Sequence, residues 1–187
     1  MNEAEEYFNS VERNSWHWLD SSEKLKISSE VIYKELHFLL EIFHTERTFA
    51  DEEKIIALWS SYYLLVGLSF ENLVKGLSLE NNRSAKSFKE IFNKWGDKGH
   101  EISLIAKDNI IPYLTEDELR IIEKLETYIV WAGRFHLPRN SDKYNKERGN
   151  LFYYSKDYDT INLLYERTKE ILELAYAKNE SEKPRQN

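Results

Sequence analysis

The chain has 187 residues, enough for one domain with a sizeable core. Hydrophobic residues make up 41% and aromatics 14%, so disorder is not the default, while six Gly and three Pro disfavour a turn-rich β sandwich. The net charge is −7 and cysteine is absent, so disulfides, thiolate metal sites and cysteine nucleophiles are excluded together.

The acidity is local. Residues 1–60 hold 13 acids and 6 Lys or Arg, whereas the other 127 residues hold 20 of each. This counts against generic nucleic-acid coating but leaves room for a local site. Glu3, Glu5 and Glu6 stand where a signal peptide needs basic and then apolar residues. The longest apolar-leaning run, 62–70, is far short of a membrane span. The expectation is a soluble, cytoplasmic protein with no membrane association. It forms one helical domain over 1–177, with 1–14 as an amino-terminal extension and 178–187 as a disordered tail.

Helical periodicity dominates. Trp16, Leu19, Ile27, Val31, Leu36, Leu39, Leu40 and Phe43 predict a long helix over 15–45. A second helix, about 51–80, is apolar nearly all the way round and belongs at the centre. Gly67 inside it points to close helix approach. Ser87 with Glu90 fits a capping box for a short helix that turns Phe88, Ile91, Phe92 and Trp95 inward, before Gly96 and Gly99 break the chain. A brief helical segment over 101–107 comes next. Thr115 with Glu118 starts another helix, which Leu119, Ile122, Leu125, Ile129 and Ala132 carry to Gly133. Residues 134–156 read as a loop, and the last helix covers 158–178. Four long helices with short connecting ones predict an all-α, up-and-down four-helix bundle with additional short helices.

Without cysteine, a metal would need His, Asp and Glu. His37, Glu41 and His44 share one helix face, and Glu41 with His44 forms the Glu-x-x-His unit of di-iron bundles. That chemistry needs the unit on two helices and the chain has one, so no metal site is expected. Neither Gly-x-Ser-x-Gly nor Gly-x-x-x-x-Gly-Lys-Ser/Thr occurs, which excludes those hydrolase and phosphate-loop classes.

Two stretches stand out. Glu71 and Lys75, with Asn72 between them, lie four apart on an otherwise apolar helix. Buried charges must be paired, although an ordinary ion pair at the rim of a core helix has the same spacing. Residues 131–148 hold five Lys or Arg against two acids, interleaved with Phe135, His136 and Tyr144. Basic residues among aromatics suit a phosphate backbone and stacked bases, and a solvated loop has the same composition. Arg139, Lys143, Tyr144, Lys146 and Arg148 are the candidate RNA or nucleotide contacts there.

The stretch 62–107 resembles the HEPN superfamily of small helical bundles. In that family an Ala/Glu-x-x-x-Lys helix precedes a Gly/Thr-His-Asp/Glu-Leu/Ile turn. The counterparts here are Glu71-Asn72-Leu73-Val74-Lys75-Gly76 and Gly99-His100-Glu101-Ile102. Trp131-Ala132-Gly133-Arg134 resembles a segment in a bacterial branch of HEPN-like proteins. The similarity covers about residues 20–177. It implies a four-helix bundle, commonly a homodimer, in toxin–antitoxin or phage-defence settings, and adds Glu71, Asn72, Lys75 and His100 to the candidate contacts. After Gly99, His100 is equally suited to cap or pack a helix start.

Many HEPN members are metal-independent ribonucleases that pair an Arg and a His across the dimer. The His is the general acid/base, the Arg stabilises phosphorane charge and the 2′-OH attacks. This chain departs from that spacing. Arg13 and His17 have three residues between them, Arg134 and His136 have one, and Tyr144 stands where the His partner of Arg139 belongs. The leading expectation is therefore a HEPN-like module that dimerises and binds a cognate protein, a nucleotide or RNA. The alternative is a metal-independent endoribonuclease with His136 as acid/base and Arg134 or Arg139 as stabiliser. Neither needs a cofactor.

Overall fold

The computed structural model describes residues 2–42, 48–96, 99–110, 114–135, 138 and 140–182. It is all-α: no strand occurs among the described residues, and none of their helices is long and apolar enough to cross a membrane. In chain order the elements are α1 (Glu3–Glu12), α2 (Ser15–Ile42), α3 (Phe49–Asn81), α4 (Phe88–Phe92) and a 3-10 turn (Asn93–Trp95). Then come α5 (Ile102–Asn109), α6 (Glu116–Thr127), a π turn (Tyr128–Ala132), α7 (Ser141–Glu147), a further 3-10 turn (Arg148–Leu151) and α8 (Asp157–Ser181).

Cap chemistry sets several of the starts. Asn2 with Glu5, Thr48 with Asp51 and Thr115 with Glu118 each form a full capping box, which satisfies two orphan backbone donors reciprocally. Ser87 supplies half of one. Its hydroxyl accepts from the Glu90 N–H, but the Glu90 carboxylate takes the Lys86 N–H instead.

At 1.5 Å per residue α2 and α3 run about 42 and 50 Å. Contacts between Glu35 and Lys54, Ser22 and Ser69, and Ser15 and Glu80 show that they lie antiparallel. Helix α8 runs alongside α3 in the same direction, with Asp157 beside Tyr63, Tyr165 beside the Ser22–Ser69 pair and Asn179 beside Glu80. Lys124 against Asp157 and Arg167 against Glu118 set α6 antiparallel to α8. The main core lies between these four helices, and α5 packs against α3 and α6.

The buried face of α2 differs from the apolar stripe read in the sequence. Leu19, Leu36 and Leu39 are buried, but Trp16, Ile27 and Val31 are more than half exposed. Ser15, Ser22, Ser29 and Leu36, at a strict seven-residue spacing, line the buried seam. The serines fit because their hydroxyls find partners: Ser22 Oγ donates to the Ser69 carbonyl at 2.7 Å, and Ser69 Oγ donates to the Ser22 carbonyl at 2.8 Å. Small bonded side chains let α2 and α3 approach closely. Phe92 and Leu119, also expected inside, sit at the edge at 38% exposure each.

Two boundaries also move. The expected loop 134–156 contains α7, because the Asn140 side chain caps the Lys143 N–H at 2.9 Å and Trp131 Nε1 donates to Glu147 at 2.6 Å. Helix α8 continues beyond the expected tail start at 178. Asn179 Nδ2 donates to the Glu80 carboxylate at 2.8 Å, holding 178–181 in helix.

Candidate functional site

Helix α3 carries Glu71 and Lys75 on one face, four residues apart, and both are at most 5% exposed. The pair is therefore inside the protein and not at the rim. Trp95 ends the turn after α4, its indole N–H donating to Ser78 Oγ at 3.0 Å. The chain then reverses through Gly96 and Gly99, whose φ values of 79° and 72° lie in the left-handed region that glycine adopts without strain. A Cβ at Gly99 would stand 2.9 Å from the Phe92 ring. This turn brings His100 onto α3. Its Nδ1 lies 3.0 and 3.2 Å from the two oxygens of Glu71, and Glu71 Oε1 also pairs with Lys75 Nζ.

The Glu71 carboxylate thus holds a buried ammonium on one side and an imidazole on the other. Lys75 Nζ lies over the rings of Trp95 at 5.1 Å and Trp18 at 5.6 Å, which adds cation–π stabilisation where water is excluded. With Nδ1–H donating to the carboxylate, Nε2 of a neutral His100 ring is the acceptor. The side chain is 42% exposed, so the ring can meet a ligand hydroxyl or, when protonated, a phosphate oxygen. Asn72, half-buried on the next position of α3, does not share that face.

The basic segment is arranged differently. Arg134 is exposed, its guanidinium lying over Phe135 at 5.5 Å and reaching the Ile129 carbonyl at 3.5 Å. His136 and Arg139 lie outside the described residues. Lys143, Tyr144 and Lys146 are on α7, and Arg148 begins the 3-10 turn after it. Lys143 pairs with Glu147 at 3.7 Å, and Tyr144 packs on Trp131 with ring centroids 6.3 Å apart. A hollow of about 230 Å³ is lined by Lys143 and Lys146 but also by Glu123, Glu126 and Glu147. The positive charge of the segment therefore meets acids from α6. Among the described residues, no hydrogen bond or ion pair joins this segment to Glu71, Lys75 or His100.

A third cluster was not foreseen from the sequence. Lys124, 1% exposed, donates to Asp157 Oδ2 at 2.7 Å and to the Phe152 carbonyl. Arg120 Nη2 donates to Asp157 Oδ1 at 2.7 Å, and Tyr63 Oη donates to Oδ2 at 2.9 Å. Burial pushes the Asp157 carboxyl up, but these donors outweigh it and hold it below the usual carboxylate range. Burial lowers the Lys124 ammonium, against the opposing pull of Asp157. The available signal was a lysine on an apolar face, since Lys124 follows Ile121 by three and precedes Tyr128 by four.

Among the described residues no three His, Asp or Glu side chains converge as a metal site. His37 Nε2 lies 3.1 Å from Glu41 on an exposed face, and His44 is outside the described residues. No known family model matches the chain, and no curated protein or solved structure matches it either.

Proposed function

We propose that this chain is a HEPN-like, up-and-down four-helix module that works as a homodimer and binds RNA or a nucleotide, with His100 as the exposed contact. The observation that carries this reading is the meeting of the two stretches of the resemblance. Glu71 and Lys75 on α3 and His100, 29 positions beyond Glu71, form one cluster with His100 Nδ1 3.0 Å from the carboxylate. A buried ion pair is weak evidence of stability alone, because desolvation offsets much of its Coulomb attraction. An imidazole anchored by that pair and half open to solvent suits ligand contact. Helices α2, α3, α6 and α8, alternating in direction around one core, support the bundle. A cognate protein in a toxin–antitoxin or phage-defence setting is compatible with the same module.

The test is light scattering with fluorescence anisotropy on a labelled single-stranded RNA. A particle of twice 22.4 kDa is expected, with RNA affinity falling about tenfold in His100→Ala while helical circular dichroism at the assay temperature is retained. A monomer with no affinity for RNA or nucleotide would end the proposal. A second reading, metal-independent endoribonuclease, draws on the same half-exposed, carboxylate-anchored ring, which is the geometry a general acid/base needs. It requires RNA cleavage in EDTA that is lost in His100→Ala or His136→Ala.

A further inference from the structure

The cations around Asp157 face a hollow of their own. Arg120 and Lys124 stand one turn apart on α6, and Lys156 directly precedes α8. With Gly149, Asn150 and Tyr154 they line an open space of about 230 Å³. Asp157 is 1% exposed at the side chain and holds Arg120 and Lys124 in place, with Tyr63 as its third donor. The Lys124 ammonium is held by Asp157 and the Phe152 carbonyl, so it supplies field more than reach. Arg120 is different. Its side chain is 34% exposed, and of its five N–H donors one is engaged at hydrogen-bond distance, with Asp117 3.7 Å from Nε. Lys156, 65% exposed, lies 3.5 Å from the same Asp117.

Three cations (Arg120, Lys124, Lys156) stand against two carboxylates (Asp117, Asp157), which leaves one positive charge in excess at the hollow. Tyr154 lies against Arg120 and Lys124, with its ring 5.6 and 5.0 Å from their charged groups, and remains 45% exposed. A Cβ at Gly149 would meet nothing within 4 Å, so the wall is open there. We propose that this hollow binds a phosphate monoester, the terminal phosphate of a nucleotide or of an oligonucleotide end, with Arg120 and Lys156 on its oxygens and the Tyr154 ring beside the adjoining sugar or base. A guanidinium fork and an ammonium approaching from separate elements suit a tetrahedral dianion. The volume is below the roughly 300–1,000 Å³ of pockets that enclose a whole small molecule, and fits a phosphate with its neighbour left outside. None of these residues belongs to the His100 cluster, so the inference does not rest on the proposed RNA contact there.

The full-length protein is titrated with 5′-phosphorylated and 5′-hydroxyl forms of one short oligoribonucleotide, and with a nucleoside monophosphate and inorganic phosphate as competitors. A preference of about tenfold for the phosphorylated end, or competition by the monophosphate alone, supports the site and tells the oligonucleotide from the free nucleotide. Lys156→Gln and Gly149→Glu, both at open positions, are expected to remove the preference or the competition at unchanged melting temperature, while His100→Ala keeps it. Equal affinity for both ends with no competition by either phosphate overturns the proposal, as does a preference that survives both variants.

Discussion

Asp157 concentrates the energetics of a charge placed inside a helical core. Its carboxyl is held below the ordinary range, so the stability it contributes is present above the unfolded value near 4 and is lost as pH falls through the folded one. Removing one partner of a buried ion pair strands the other, at about 3–5 kcal/mol. Asp157→Asn is therefore expected to lose about that much at pH 7 in urea unfolding, with the gap to the parent protein narrowing below pH 4. A constant gap across that range refutes the linkage. Glu80 follows the same sign: burial raises it, but Arg83, Ser15 and Asn179 bring it below its usual value. Such residues were unevenly legible. Glu71 and Lys75 announced themselves because two opposite charges four apart on an apolar helix need each other. Lys124 went unread because its partner Asp157 lies 33 positions away, a relation that only the packing of α6 on α8 creates.

Helix α3 shows what a glycine in a helix interior is for. At Gly67 an added Cβ would lie 3.1–3.2 Å from the Ile129 side chain and 3.3 Å from the Leu125 carbonyl, so the α3 backbone meets both a side chain and the backbone of the α6 region there. Gly67→Ala gains about 1 kcal/mol of helix propensity against a small shift of Ile129 and is expected to be close to neutral. Gly67→Val overpacks the contact and is expected to lose about 1–3 kcal/mol in thermal melts. Equal melting of the two variants would remove the close-approach account. The long helices were legible because their apolar periodicity is sustained over many turns, and Thr115 with Glu118 marked a start directly. Helix α7 was not, since Tyr144 is the one aromatic among its seven residues and the helix depends on an Asn140 cap and the Trp131–Glu147 bond. The phase of α2 was missed for a related reason. Hydropathy assigns serine outward, whereas Ser15, Ser22 and Ser29 point inward with their hydroxyls bonded.

Across the molecule, tyrosine hydroxyls thread the core. Burial raises Tyr62, Tyr63, Tyr128, Tyr153 and Tyr165, with Tyr128 pushed up to about 12. A raised folded value means that this stability is complete below the unfolded value near 10 and disappears as pH climbs above it. Absorbance from these phenolates is expected to appear in one cooperative step together with loss of helical circular dichroism. Gradual ionisation with the helix signal intact would contradict it. At this scale the all-α architecture was legible from composition and periodicity alone, while the charge clusters that bind helices together were not. Trp95 has a further consequence, and it is optical. Its indole lies 5.1 Å from the Lys75 ammonium, whose counter-ion Glu71 is shared with His100. A change of charge or hydration at His100 therefore alters the electric field across a buried chromophore. With the other four tryptophans replaced by Phe, the emission of Trp95 is a built-in gauge of that site.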